Sequence, residues 1–172
     1  MNKQKSINYL VQAAVIAALY AALTYLASVF GLAYGNVQFR FSEALTILAA
    51  FSPAAIPGLT IGCFIGNLGS PFGMLDVVCG TAATLLAAVL TYLTRNVKLK
   101  KLPVLAPLFP VIANAIIVGA EITVFLPEGF TFQGFIIQAL WVALGEAVVC
   151  YCGGIPLAAA INKIGPNKIF KK

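Results

Sequence analysis

The stretch NVQFRFSEALTIL, residues 36–48, sets an arginine and a glutamate, Arg40 and Glu43, three residues apart between two apolar segments. Asn67, Asp76, Asn114, Glu121, Gln138, Trp141 and Glu146 are the other side chains able to do chemistry in apolar surroundings. Their types suit recognition of a small polar molecule. A carboxylate accepts two N–H donors side by side, an amide both gives and takes, and an indole offers a stacking face. Bond-breaking chemistry has no comparable set. The chain holds no histidine, no G-x-x-x-x-G-K-[ST] phosphate loop, no H-E-x-x-H and no zinc-ligand spacing, and no serine or threonine has an evident base beside it. Cys63, Cys79, Cys150 and Cys152 fall in apolar runs and are expected as buried small hydrophobes, outside any disulfide framework. The expectation is a binding protein and not an enzyme, with no cofactor and no metal.

The elements that must position these residues are membrane spans. The chain is 61% hydrophobic and 9% charged, and its mean hydropathy is +0.98. A soluble domain of this size cannot hide so much apolar surface. With about 20 apolar residues per span there is room for about six or seven spans and no soluble catalytic domain. The bilayer is therefore an expected partner and nucleic acid is not. The N-terminal MNKQKSINYLVQAAVIAALYAALTYLA resembles a secretory signal, but its apolar run continues past Phe30 and reads as the first span.

Sidedness follows from the basic residues. Lys3 and Lys5 precede the first span, Arg95, Lys98, Lys100 and Lys101 form RNVKLKK, and Lys163, Lys168, Lys171 and Lys172 form the tail. Cytoplasmic loops collect Lys and Arg, so all three clusters are placed inside and each pair is separated by an even number of crossings. The expected fold is an all-α polytopic membrane protein of one domain, residues 1–172. Six spans near 7–30, 43–53, 56–69, 74–94, 104–124 and 134–160 leave both termini cytoplasmic. The prolines of FSPAAIP divide the second span from the third, and both of these are short for a straight crossing. In this topology Arg40, Glu43, Asp76 and Glu128 are on the outer side, Glu121 is near the outer end of the fifth span, and Glu146 is deeper in the sixth. Arg40, Glu43, Asn67, Asp76, Glu121 and Gln138 then share a depth, with Trp141 one turn further in. Asn114 and Glu121 share a face of span five, and Gln138 and Trp141 a face of span six. The expectation is a polar pocket open to the outside with one aromatic wall.

Plainer roles compete at each position. Arg40 and Glu43 would pair with each other at the interface, Asp76 would cap the fourth helix, and Asn67 would end the third. Trp141 would be a lipid-facing belt aromatic. Glu146 would serve in an interhelical hydrogen bond, and Glu128 in a solvated loop. Small residues also recur every fourth position: Ala13, Ala17 and Ala21, Ala14, Ala18 and Ala22, and Gly58, Gly62 and Gly66. Such stripes let another helix approach closely. One would be satisfied within the chain, another by a docked protein.

The alanine stripe on span one, VQFRFSEALTIL, and NLGSPFGMLDVVCGTAATLLAAVLTYL together resemble the substrate-binding S components of energy-coupling factor transporters, in particular their QueT branch. The resemblance covers nearly the whole chain, and F-R-x-S-E-A-L with G-x-x-D-x-x-x-G-T is its most specific part. It implies a bacterial cell-membrane subunit that captures a queuosine precursor from outside. It also implies docking through Ala14, Ala18 and Ala22 on a membrane T component that carries two cytoplasmic ATPases. A 7-deazaguanine presents an N1–H and an exocyclic amine that a carboxylate accepts together, and queuine adds a charged secondary amine and a diol. On this reading Glu43 or Glu146 meets the base edge, Asp76 or Glu121 the amine, and Trp141 stacks. Arg40 orients Glu43, and loop 31–42, with Gly31 and Gly35, is placed to act as a lid. Other readings are an S component for a thiamine-like or pyrimidine compound, a scaffold subunit without ligand, and an intramembrane enzyme using Glu146 with Asp76.

Overall fold

The structure is a computed structural model that describes residues 3–34 and 37–170; Gly35, Lys171 and Lys172 lie outside the described residues. Helix α1 is Lys3–Val29, followed by a 3-10 helix, Phe41–Ala50. Then come α2 (Ala55–Asn67), α3 (Met74–Leu93), α4 (Leu108–Val124) and α5 (Phe132–Val149). A π-helical turn, Cys150–Gly154, joins α5 to α6 (Ile155–Ile164), and a short α7 (Pro166–Ile169) follows. The described residues form no strand, only an isolated bridge between Leu99 and Leu102. Among the described residues three runs are long and apolar enough to cross a membrane: Lys3–Val29, Met74–Leu93 and the continuous Phe132–Ile164.

The helices track the expected segments, with three informative departures. The second segment is not α-helical. Ten residues in a 3-10 helix rise about 20 Å, against about 15 Å in an α-helix, and 3-10 runs this long are uncommon. Eight of its residues are buried, Ser42 and Glu43 among them, so its backbone is shielded by protein rather than exposed to lipid. The fifth helix starts at Leu108, not near 104, because Pro103 and Pro107 precede it in a run of turns. The sixth runs on to Ile164, its ladder widened by the π turn.

Small residues set the packing. The inner alanine stripe of α1 is clasped by the glycines of α2. A Cβ added at Gly58 would lie 2.7 Å from the Ala13 carbonyl oxygen, at Gly62 2.7 Å from Tyr20 Cβ, and at Gly66 3.0 Å from Thr24 Cβ. Ala13, Ala17 and Ala21 are thereby buried, whereas Ala14, Ala18 and Ala22 stay exposed on the other side of the helix. Helix α3 lies between α2 and α4, and α4 packs on α5. The 3-10 helix stands inside this ring and touches α1, α2, α3, α5, α6 and the π turn.

Candidate functional site

The start of the 3-10 helix brings the first charged group inward. Arg40 precedes its first turn in an extended conformation. Its Nε donates to the Ala33 carbonyl at 3.1 Å, and its Nη2 donates to both Asp76 oxygens at 3.2 Å. Asp76 occupies the first turn of α3 and caps nothing with its side chain. Asn67, at the end of α2, donates from Nδ2 to the Asp76 carbonyl at 3.0 Å. Gly80 makes room for this group, because a Cβ there would run into the Asn67 amide and come within 3.1 Å of Asp76 Oδ1. The expected Arg40–Glu43 pair does not form: the arginine turns back toward the loop and α3, while Glu43 enters the interior.

Glu43 is fully buried and held from three sides. Tyr20 of α1 donates its hydroxyl to Glu43 Oε1, and Thr84 of α3 donates to the same oxygen at 3.3 Å. The Cys150 thiol, in the π turn, lies 3.6 Å from the Glu43 carbonyl and 3.5 Å from Glu146 Oε2. Asn114 of α4 lies beside Glu146 without hydrogen-bond geometry. Glu121, one face with Asn114 as expected, is near Asp76 and Arg40.

The cluster is short of partners. Among the described residues, the buried side-chain atoms with no hydrogen bond are Gln38 Nε2, Glu43 Oε2, Asn67 Oδ1, Thr81 Oγ1, both polar atoms of Asn114, both oxygens of Glu121, and Gln138 Oε1. A buried polar atom without a partner is costly and rare in a settled core. Here they are spread across five elements and the loop before the 3-10 helix, and they make this cluster the candidate site. Six of these atoms are acceptors and two are donors, the Thr81 hydroxyl serving as either. No three His, Cys, Asp or Glu side chains among the described residues converge as a metal-binding group.

Eight of the nine expected side chains are buried: Arg40, Glu43, Asn67, Asp76, Asn114, Glu121, Gln138 and Glu146. Trp141 is not among them. It is 45% exposed on the outer face of α5, with Leu144 and Val148, because the inward face is taken by Gln138, Val142 and Gly145. No aromatic wall is built by that residue. Gln138 also lines a surface pocket of about 440 Å³ beside Glu128 and Thr131. Glu128 is exposed, as a loop residue should be. Cys63 and Cys150 are buried, but Cys152 is exposed, which corrects its expected burial.

Tyr20, Gln38, Thr84 and Cys150 were missing from the sequence-derived set. Gln38 had a signal, two residues before Arg40 in the same polar stretch; the others sit in plain apolar runs. Above the cluster, Tyr34 donates its hydroxyl to the Gly66 carbonyl at 2.7 Å, and Phe39 N–H bonds the Leu32 carbonyl. Burial pushes the Tyr34 phenol up to about 12, so it remains a donor at any physiological pH. The Arg40 guanidinium lies 5.5 Å from the centre of its ring.

Helices able to cross a bilayer, packed around a buried and partner-poor polar cluster, define a multi-pass membrane protein. The family model of the QueT transporter matches residues 10–163. The chain belongs to the QueT transporter family, whose place is the bacterial cell membrane. A curated relative, the queuosine precursor transporter QueT of Lactococcus lactis subsp. cremoris, is 41% identical over 85 residues, a match that covers 49% of each chain. The chain thus spans about half the length of the curated relative it matches. No solved structure matches it.

Proposed function

We propose that this protein captures a queuosine precursor, queuine or a related 7-deazaguanine, as the S component of an energy-coupling factor importer. The observation that carries the reading is the excess of buried free acceptors over donors, which suits a ligand rich in N–H groups. The family match and the name of the L. lactis relative support the same cargo.

The residues divide the ligand as follows. Glu43, with Oε2 free, and Glu146, across Cys150 from it, take the donor edge of the base. Asp76 is engaged by Arg40, so Glu121 is left for the amine of the 7-substituent. The free oxygens of Asn67, Asn114 and Gln138 suit the hydroxyls and remaining N–H groups, and the Asn114 amide N–H the base carbonyl. Arg40 positions Asp76 rather than Glu43. The segment before the 3-10 helix acts as a lid, as expected for loop 31–42, and the Tyr34 and Arg40 bonds are what opening breaks.

Six crossings with cytoplasmic termini put this lid outside and the three basic clusters inside. The short 3-10 helix, α2 and α4 cross with their backbones enclosed by neighbours. The exposed stripe Ala14, Ala18 and Ala22 is the docking face for a membrane T component that carries two ATPase subunits.

The experiment is a calorimetric titration of the purified protein with queuine, 7-aminomethyl-7-deazaguanine, guanine and thiamine. Tight binding of a deazaguanine, with guanine and thiamine weak, is expected. Tight thiamine binding would replace the cargo, and no binding by any of the four would overturn the reading in favour of a scaffold role.

A further inference from the structure

We propose that the site selects its ligand by positive charge, taking a 7-deazaguanine whose 7-substituent ends in an ammonium over the same base ending in a nitrile, with Glu121 against the ammonium. This rests on the queuosine-precursor reading above and specifies which members of that class are accepted.

The charges of the cluster lead there. Among the described residues one ion pair forms, Arg40 with Asp76. Arg40 spends Nη2 on both Asp76 oxygens and Nε on a backbone carbonyl. Three further carboxylates, Glu43, Glu121 and Glu146, are buried with no cation. The other basic residues lie in the exposed 95–101 turn and near the two ends of the chain. Burying an isolated carboxylate is expensive unless it gains a partner.

The three acids are not equivalent. Glu43 has two hydroxyl donors on Oε1, and Glu146 has the Cys150 thiol. Glu121 has none on either oxygen, although it is only 3% exposed. Its neighbours do not supply one: the nearby Arg40 directs Nη2 to Asp76 and Nε to the Ala33 carbonyl. The missing partner is a donor that carries charge. An ammonium supplies up to three N–H donors and cancels the carboxylate. A nitrile supplies only a lone pair, which faces the carboxylate oxygens with repulsion. A site built around a hydrogen bond rejects an analogue that cannot make it far more strongly than one differing only in bulk. The two ligands share the whole deazaguanine, so the base edge and the lid treat them alike.

The test titrates 7-aminomethyl-7-deazaguanine and 7-cyano-7-deazaguanine into the full chain in lipid nanodiscs, as wild type and as Glu121→Gln. In the wild type the amine is expected to bind at least about 100-fold tighter than the nitrile. Glu121→Gln should weaken the amine by about 30-fold or more and change the nitrile by less than about threefold, collapsing the preference. Equal binding of both ligands by the wild type overturns the proposal. So does tighter nitrile binding, which would mean that Glu121 holds a proton and donates it. An equal loss of both ligands in the variant, with an unchanged thermal unfolding temperature, also overturns it. If the variant does not fold, the wild-type comparison decides alone. Queuine is titrated alongside: binding of queuine with neither of the other two overturns the proposal, and binding of none of the three overturns the queuosine-precursor reading itself.

Discussion

Replacing Tyr20 by phenylalanine removes one oxygen atom from the protein interior and leaves the ring where it is, buried beside Gly62. That oxygen donates to Glu43 Oε1, an atom that Thr84 also reaches at 3.3 Å. A hydrogen bond to a charged acceptor contributes about 1.5–3 kcal/mol. Thr84 keeps its bond in the variant, so the lower end is expected, about 1.5 kcal/mol or roughly tenfold in affinity if Glu43 is held for the ligand. The assay is a ligand titration on wild type, Tyr20→Phe, Glu43→Gln and the double variant, each checked for thermal unfolding. Glu43→Gln alone should lose affinity while remaining folded. If Tyr20 acts through Glu43, its tenfold effect should largely vanish in the Glu43→Gln background. An equal loss with either residue at position 43 would show that Tyr20 supports the fold and does not position the carboxylate. Unchanged affinity in Glu43→Gln would remove both residues from the site.

Three further outcomes follow from the geometry. Gly62→Leu places its Cβ 2.7 Å from Tyr20 Cβ and 2.8 Å from the Ala17 carbonyl oxygen, neither of which can retreat; a loss of about 2–3 kcal/mol or failure to fold is expected in thermal unfolding, from overpacking. If the exposed stripe is the proposed docking face, Ala18→Trp should leave ligand affinity and unfolding unchanged but abolish co-purification with a co-expressed T component. Tyr34→Phe should raise the ligand off-rate severalfold through loss of the bond to Gly66. The phenol's raised value makes that tether fully present below pH 10 and lost between pH 10 and about 12, so the difference between wild type and variant should be constant from pH 7 to 9 in stopped-flow measurements.

The helices were legible because hydropathy alone marks them and prolines mark their breaks: FSPAAIP ends the 3-10 helix, and Pro103 and Pro107 delay α4. The polar cluster was legible because a buried acid or amide is conspicuous in an apolar run. Pairing was not. Arg40 and Glu43 are neighbours in sequence, yet whether they meet depends on backbone direction before a helix that spacing alone assigns no type. The facing of Trp141 was lost for a similar reason. Three residues after the inward Gln138 it falls on either side of the boundary between core and lipid, and an indole suits both. Tyr20 was hidden by its type, since a tyrosine among alanines reads as bilayer packing until Glu43 is found at its hydroxyl. The two alanine stripes of α1 were indistinguishable by periodicity, and only the glycines of α2 decided which one was covered.

The 3-10 helix is longer than the α-helix its ten residues could form. Rewinding its ten residues into an α-helix would move each N–H to the acceptor one position earlier and shorten the segment by about 5 Å. It would also turn Glu43 by about 60° relative to Arg40, because three residues complete a turn in one form and fall short of it in the other. The pillar at the middle of the bundle is thus a piece of slack. It holds surplus length next to the carboxylate, among helices that pack against it on several sides. On the proposed transport reading, cargo caught on one side and released on the other would pass a segment that can change length without a hinge.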